Sequence, residues 1–281
     1  MRCESRSVSV TRSQALRLFV LPLVVLAALS AARPVAGAPA GKRLTSSIEN
    51  KRAEEFSRLV AQLTLNRQQG AEESETQQEQ ALGILDAVVL DGLNAGGRPN
   101  PALLNEQLAE FVSQTPPVGE DYRLLALDSS STVYALVANL GVGGPSAVRL
   151  YSTRGAAARY QLAARIDRYT QKDFFDEYLD LIPVVTPAVV FVTVSGRTDE
   201  LHTGSFNAWQ FDGQKVRLLW ASDLLALSSY ENRPDGFSLS FCGEPDEEKP
   251  GECRKMSQDR YQWDGAVWKL VEHKAIPVAG H

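Results

Sequence analysis

Histidine and cysteine are scarce in this chain, three of each in 281 residues, and that scarcity narrows the available chemistry. A zinc site takes three or four ligands, commonly including a His-x3-His or Cys-x2-Cys unit, and neither spacing occurs. His202 and His273 lie far apart and His281 is terminal. The first reads as a turn residue and the second as a strand-end residue. Neither a Gly-x-Ser-x-Gly elbow nor a Ser-x-x-Lys pair is present, so no nucleophile is marked out. Gly141-Val142-Gly143-Gly144-Pro145 is glycine-rich, but an apparent strand follows it. Phosphate loops hold their anion partly with the positive end of a following helix, so this loop reads as a turn. No catalytic, cofactor-binding or metal-ligating residue is assigned.

Long apolar runs are also missing after residue 32, and none there could span a bilayer. The one run before it is Leu18–Ala32 (LFVLPLVVLAALSAA), preceded by Arg2, Arg6, Arg12 and Arg17 against Glu4 alone. Fifteen residues rise only about 22 Å as a helix, short of the roughly 30 Å hydrocarbon core. A basic start, a short apolar run and small residues behind it are the parts of a secretory signal. Small-x-small exits place cleavage after Ala32 or, alternatively, after Ala40. Cys3 precedes the run, so it is not placed for lipidation. Losing residues 1–32 removes four arginines and one acid, which leaves 25 Lys+Arg against 33 Asp+Glu, a net charge of −8. That balance argues against nucleic acid and against anionic membrane surfaces as partners. No stable membrane insertion is expected after cleavage, and the chain reads as periplasmic or extracellular.

Cys242 and Cys253 are the two cysteines left, and an even pair in an exported chain reads as one disulfide. Residues 33–44 are small and Pro/Gly-rich and read as a linker. Residues 45–115 carry three helical signals. Ser46 with Glu49, and Thr76 with Glu79, have capping-box spacing, and Asn100-Pro101 reads as an N-cap followed by proline at the first helical position. Phe56, Leu59, Val60 and Leu63 recur at helical spacing.

From Pro117 the period moves towards 2, and residues 118–276 read as an antiparallel β domain of about ten short strands. The run Pro187–Ser195 (PAVVFVTVS) is continuous and β-branched, as in a strand covered on both faces. One repeat is legible: Trp209-Gln-Phe-Asp-Gly-Gln-Lys-Val-Arg-Leu218 aligns with Tyr261-Gln-Trp-Asp-Gly-Ala-Val-Trp-Lys-Leu270, with a degenerate copy near Tyr151–Gly155. Asp-Gly is a strong hairpin signal, and a two-residue loop would set Trp209 opposite Val216 and Tyr261 opposite Trp268. The fold class is therefore α+β: an N-terminal helical segment, then a mainly antiparallel β domain, either a sandwich or propeller-like meanders.

Asp173, Asp176, Glu177 and Asp180 fall at i, i+3, i+4 and i+7, an acidic stripe on a short helix opening at Thr170. Amphipathic packing of Phe174, Phe175, Tyr178 and Leu179 explains it without a ligand. The loop between the cysteines holds five acids and lacks calcium-loop spacing. These observations point to an exported, noncatalytic binding or interaction protein, its ligand a protein or a carbohydrate. A secreted hydrolase with carboxylates gathered by the fold is the alternative. Intact-mass measurement of protein recovered outside the cytosol should show an N-terminus at Arg33 or Gly41; a retained Met1 would refute cleavage.

Overall fold

The computed structural model describes residues 42–281, except 72–73, 114–121, 142–143, 155–158, 171–177, 185–188, 197–202, 234, 247, 250 and 278–281. Three helices come first: α1 (Lys42–Gln68), α2 (Glu75–Leu93) and α3 (Pro101–Ser113). The Ser46–Glu49 pair lies inside α1, which already begins at Lys42. The Thr76–Glu79 pair is likewise not the cap of α2. Ser74 is, its hydroxyl accepting from the Gln77 N–H at 3.4 Å. Asn100 caps α3 as expected, with its side-chain oxygen 3.1 Å from the Ala102 nitrogen and Pro101 at the first helical position.

Among the described residues, twelve strands follow in three four-stranded antiparallel sheets, each a simple meander. Sheet A comprises β1 (Tyr122–Ala126), β2 (Val133–Asn139), β3 (Ser146–Arg154) and β4 (Arg159–Ile166). Sheet B comprises β5 (Tyr178–Val184), β6 (Val189–Gly196), β7 (Gly204–Phe211) and β8 (Val216–Ala221). Sheet C comprises β9 (Ser229–Arg233), β10 (Gly236–Pro245), β11 (Cys253–Trp263) and β12 (Trp268–Pro277). The architecture is α+β and mainly β.

The helix expected from Thr170 does not extend over Tyr178–Ile182. Residues 171–177, with Asp173, Asp176 and Glu177, lie outside the described residues, and Tyr178–Val184 is a strand. It pairs with β6 throughout, Leu179 opposite Ser195 and Leu181 opposite Thr193. The alternating burial of Leu179 and Leu181 in the core between sheets A and B outweighs the helical spacing of the acids. Pro183 is tolerated because β5 is an edge strand.

The sheets stack through successive cores. Helices and sheet A share the first, built on Phe56, Leu63, Leu82, Leu85, Tyr134 and Leu136. The second lies between sheets A and B, around Val137, Leu150, Phe191 and Trp209. The third lies between sheets B and C, around Val190, Val192, Phe206 and Phe237. Strand β6 serves both of the latter cores, Phe191 on one side and Val190 and Val192 on the other. That double burial is why its sequence is apolar at nearly every position.

Each sheet repeats one device in its last hairpin. The third strand places an aromatic opposite a leucine of the fourth: Tyr151 with Leu162, Trp209 with Leu218, Tyr261 with Leu270. Immediately beyond that pair the fourth strand bulges by one residue, at Ala163, Leu219 and Val271. The degenerate third copy near Tyr151 is thus a structural repeat. The expected pairing across the Asp-Gly turns is corrected, however. Phe211 faces Val216 and Trp263 faces Trp268, so the loops hold four residues, not two. Asp212 Oδ1 accepts from the Gln214 and Lys215 N–H groups at 2.9 and 2.8 Å, and Asp264 Oδ1 does the same with Ala266 and Val267 at 2.9 Å. This side-chain turn widens the loop. Gly213 and Gly265 take the positive φ expected of them, +96° and +99°.

Phe237 is the hub of the third core, fully buried, with Trp220, Tyr230, Tyr261 and Trp268 rings centred 5.0–5.6 Å away. Replacing it with alanine should cost about 3–5 kcal/mol, read from urea unfolding. A loss below about 1 kcal/mol would show that sheets B and C do not depend on this core.

Candidate binding groove on the helical layer

The turn between α2 and α3 is clamped to both edges of sheet A. Asn94 ends α2, and its side chain behaves like a strand residue: Oδ1 accepts from the Tyr160 N–H at 2.9 Å and Nδ2 donates to the Tyr160 carbonyl at 3.1 Å, on β4. Asn105 on α3 does the same on β1, with Leu124 N–H at 2.7 Å and its carbonyl at 2.9 Å. Gly96 and Gly97, at φ +105° and +77°, carry the chain through the turn between these clamps. Gly92 lets α3 close in, since a Cβ there would sit 2.4 Å from Leu104 Cδ2.

These constraints leave a groove of about 810 Å³ between the start of α1, the end of α2 and α3. Val88, Leu104 and Phe111 are among its apolar lining. Leu103 stands half-exposed on it. Arg52 and Asp91 form an ion pair at its mouth, Nη1 to Oδ2 2.7 Å. Arg98 reaches across to Ser131 Oγ at 3.3 Å. Volume, apolar lining and a few placed polar groups are what small-ligand and side-chain pockets share.

A second charged cluster lies where α2 meets β3. Arg149 is 1 % exposed and donates through Nε to Asp86 Oδ1 at 3.2 Å, and through Nη2 to Asp86 Oδ2. Its Nη1 and Nη2 both reach Glu79, at 3.0 Å each, and Arg165 joins Glu79 at 3.1 Å. Tyr151 donates its hydroxyl to Asp86 Oδ1 at 2.7 Å. Burial would lower the Arg149 pKa, but the hydrogen bonds and charges of Asp86 and Glu79 outweigh it and hold the guanidinium above its ordinary value. Burial, then the Asp86 charge, raises the Tyr151 hydroxyl well above its usual range. Every member has its partners inside the protein, so the cluster works as an anchor between helix and sheet. Sequence reasoning passed over it, although Asp86 and Arg149 are single charges within apolar runs.

No family model matches the chain, and no curated protein or solved structure is similar to it.

Cys242 and Cys253 are joined as expected, Cα atoms 5.8 Å apart, at the loop end of the β10–β11 hairpin. Of the acidic stripe, Asp180 sits on β5, where it pairs with Arg123 from β1. The Gly141–Pro145 loop leads into β3, as read. His273 is not a strand-end residue; it sits within β12, its Nδ1 2.5 Å from Asp259 Oδ1. His202 lies outside the described residues. Among the described residues no three His, Cys, Asp or Glu side chains group as a metal site would require.

Arg149→Met should destabilise the protein by about 3–5 kcal/mol, because it strands a buried carboxylate. Adding Asp86→Leu should recover most of that loss in chemical denaturation. Failure to recover would mean that the cluster anchors through something other than charge compensation.

Proposed function

We propose that the protein is exported by its N-terminal signal and acts in the periplasm or outside the cell as a noncatalytic binding protein. Its ligand site is the groove between α1, the α2–α3 turn and α3. The observation that carries this reading is a groove of about 810 Å³ lined by Val88, Leu103, Leu104 and Phe111 together with charged residues, the Arg52–Asp91 pair among them, and built on elements clamped to sheet A. The Cys242–Cys253 disulfide is compatible with an oxidising compartment. No helix among the described residues is long and apolar enough to cross a membrane.

The ligand is a protein segment that inserts apolar side chains and meets the charged mouth with polar ones. A carbohydrate fits less well, since sugar sites present flat aromatic faces to solvent. Here Trp209 and Trp268 are buried, and Trp220 and Trp263 pack within the aromatic cluster around Phe237. The hydrolase alternative calls for carboxylates converging in a cleft. Three carboxylates, Glu49, Asp91 and Glu110, line the groove, and of these Asp91 is paired with Arg52 instead of with a second carboxylate, which favours binding over hydrolysis.

Selection of random peptides displayed on phage against the purified protein tests the reading. Enriched peptides should carry two or more apolar residues near a charge. Their affinity should fall about tenfold or more for Leu103→Glu, which removes apolar contact worth over 1.4 kcal/mol. It should be unchanged for Arg217→Glu on β8. Absence of enrichment, or binders indifferent to Leu103→Glu, would overturn the assignment.

A further inference from the structure

Sheet edges are treated unequally in this fold. Asn105 and Asn94 occupy β1 and β4, the two edges of sheet A. On β5, Arg123 Nη2 donates to the Leu181 carbonyl at 3.1 Å and Asn232 Nδ2 to the Pro183 carbonyl at 3.3 Å. Strand β12, like the shorter edges β8 and β9, has no such cover among the described residues. Its ten residues make it the longest edge strand, and among the described residues no backbone or side-chain group outside sheet C hydrogen-bonds its backbone.

Exposed apolar side chains gather on the same strand. Leu270, Val271 and Ile276 are 52, 48 and 38 % exposed, and Val267 in the preceding turn is 46 % exposed. An open edge with apolar side chains is a template for another strand.

The charge order along β12 selects the partner. Glu272, His273 and Lys274 are consecutive, and Lys274 Nζ lies 2.6 Å from Glu272 Oε1 on the face away from sheet B. We propose that β12 pairs antiparallel with β12 of a second copy of this chain, about a two-fold axis at His273. In that register Glu272 faces Lys274 of the second copy and Lys274 faces its Glu272, so four charges alternate in sign. Moving the axis one residue either way sets Glu272 against Glu272, or Lys274 against Lys274. Cross-strand charge pairs favour the first register and penalise the other two. Leu270 and Val271 then approach the Ile276 end of the second copy, which removes exposed apolar surface from water at both ends. Each His273 keeps its own Asp259 carboxylate beside it, 2.5 Å from Nδ1, so the axis does not bring two uncompensated rings together. The Val271 bulge confines regular pairing to the segment beyond it. An isologous contact of this kind closes at two chains.

Sedimentation equilibrium of the protein with its disulfide intact tests this. The wild type should show a concentration-dependent monomer–dimer equilibrium. Lys274→Glu and Glu272→Lys each replace two attractive cross-strand pairs with two repulsive ones, and each should weaken dimerisation about tenfold or more. The double variant Glu272→Lys/Lys274→Glu restores opposite charges in the same register and should return the dissociation constant to within a few fold of wild type. Both positions are solvent-accessible, so melting temperatures of diluted monomer should stay unchanged. A monomer at every concentration up to the solubility limit would overturn the proposal. So would a single variant that dimerises like wild type, or a double variant that stays weak.

Discussion

A sheet that is apolar on both faces cannot stand in water, and this constraint organises the whole molecule. Sheet B carries Phe191 and Trp209 on one side and Val190, Val192 and Phe206 on the other, so it needs a neighbour on each side. Sheet A meets one of those needs and thereby acquires a second apolar face of its own, with Tyr134, Leu136 and Tyr151. The three helices cover it. Sheet C covers the other side of sheet B and ends the stack differently. Its outer face carries Arg233, Ser238, Arg260 and Gln262, joined through Glu231 and Asp235. Stacked repeats characteristically end in a polar outer face of this kind.

This order of layers explains why so much of the fold was legible. Most strands with one or two buried faces carry either alternation or a continuous apolar run in the sequence and are legible there. The two strands that escaped were edges with a competing or absent signal. At β5, four acids at helical spacing, of which only Asp180 lies in the strand, hide the alternation of Leu179 and Leu181, and only pairing with β6 reveals it. In β9, Ser229–Arg233 has Tyr230 as its one core-facing residue and holds its place by pairing with β10 and by stacking that ring on Phe206 and Phe237. The hairpin repeat was visible, whereas its loop length was not. That length depends on whether the aspartate carboxylate turns back onto two N–H groups, a choice that Asp-Gly alone does not encode.

The candidate site was far less legible, because nothing in it is local. The groove exists since Gly92 admits α3 and since two asparagines, eleven residues apart, each imitate a strand at opposite edges of one sheet. Neither asparagine differs in sequence from an ordinary capping or surface residue. Asp86 and Arg149 did leave a trace, as lone charges in apolar runs sixty-three residues apart. A buried charge that is not neutralised costs several kcal/mol, so two such anomalies of opposite sign in one sequence imply each other.

The buried pair also bears on why the groove holds its shape. Apolar packing between a helix and a sheet tolerates sliding, because many arrangements bury similar area. A guanidinium that must meet two carboxylates and leave no donor unsatisfied tolerates very little. Arg149 fixes α2 along and about its axis through Glu79 near its start and Asp86 near its middle. The end of α2, where Val88, Asp91 and Gly92 line the groove, inherits that position. Asn94 then repeats the restraint one residue beyond the helix. The helical layer can therefore cap sheet A and present a preformed groove at the same time, because separate interactions carry the two tasks: apolar area supplies the cohesion, and the polar contacts supply the register.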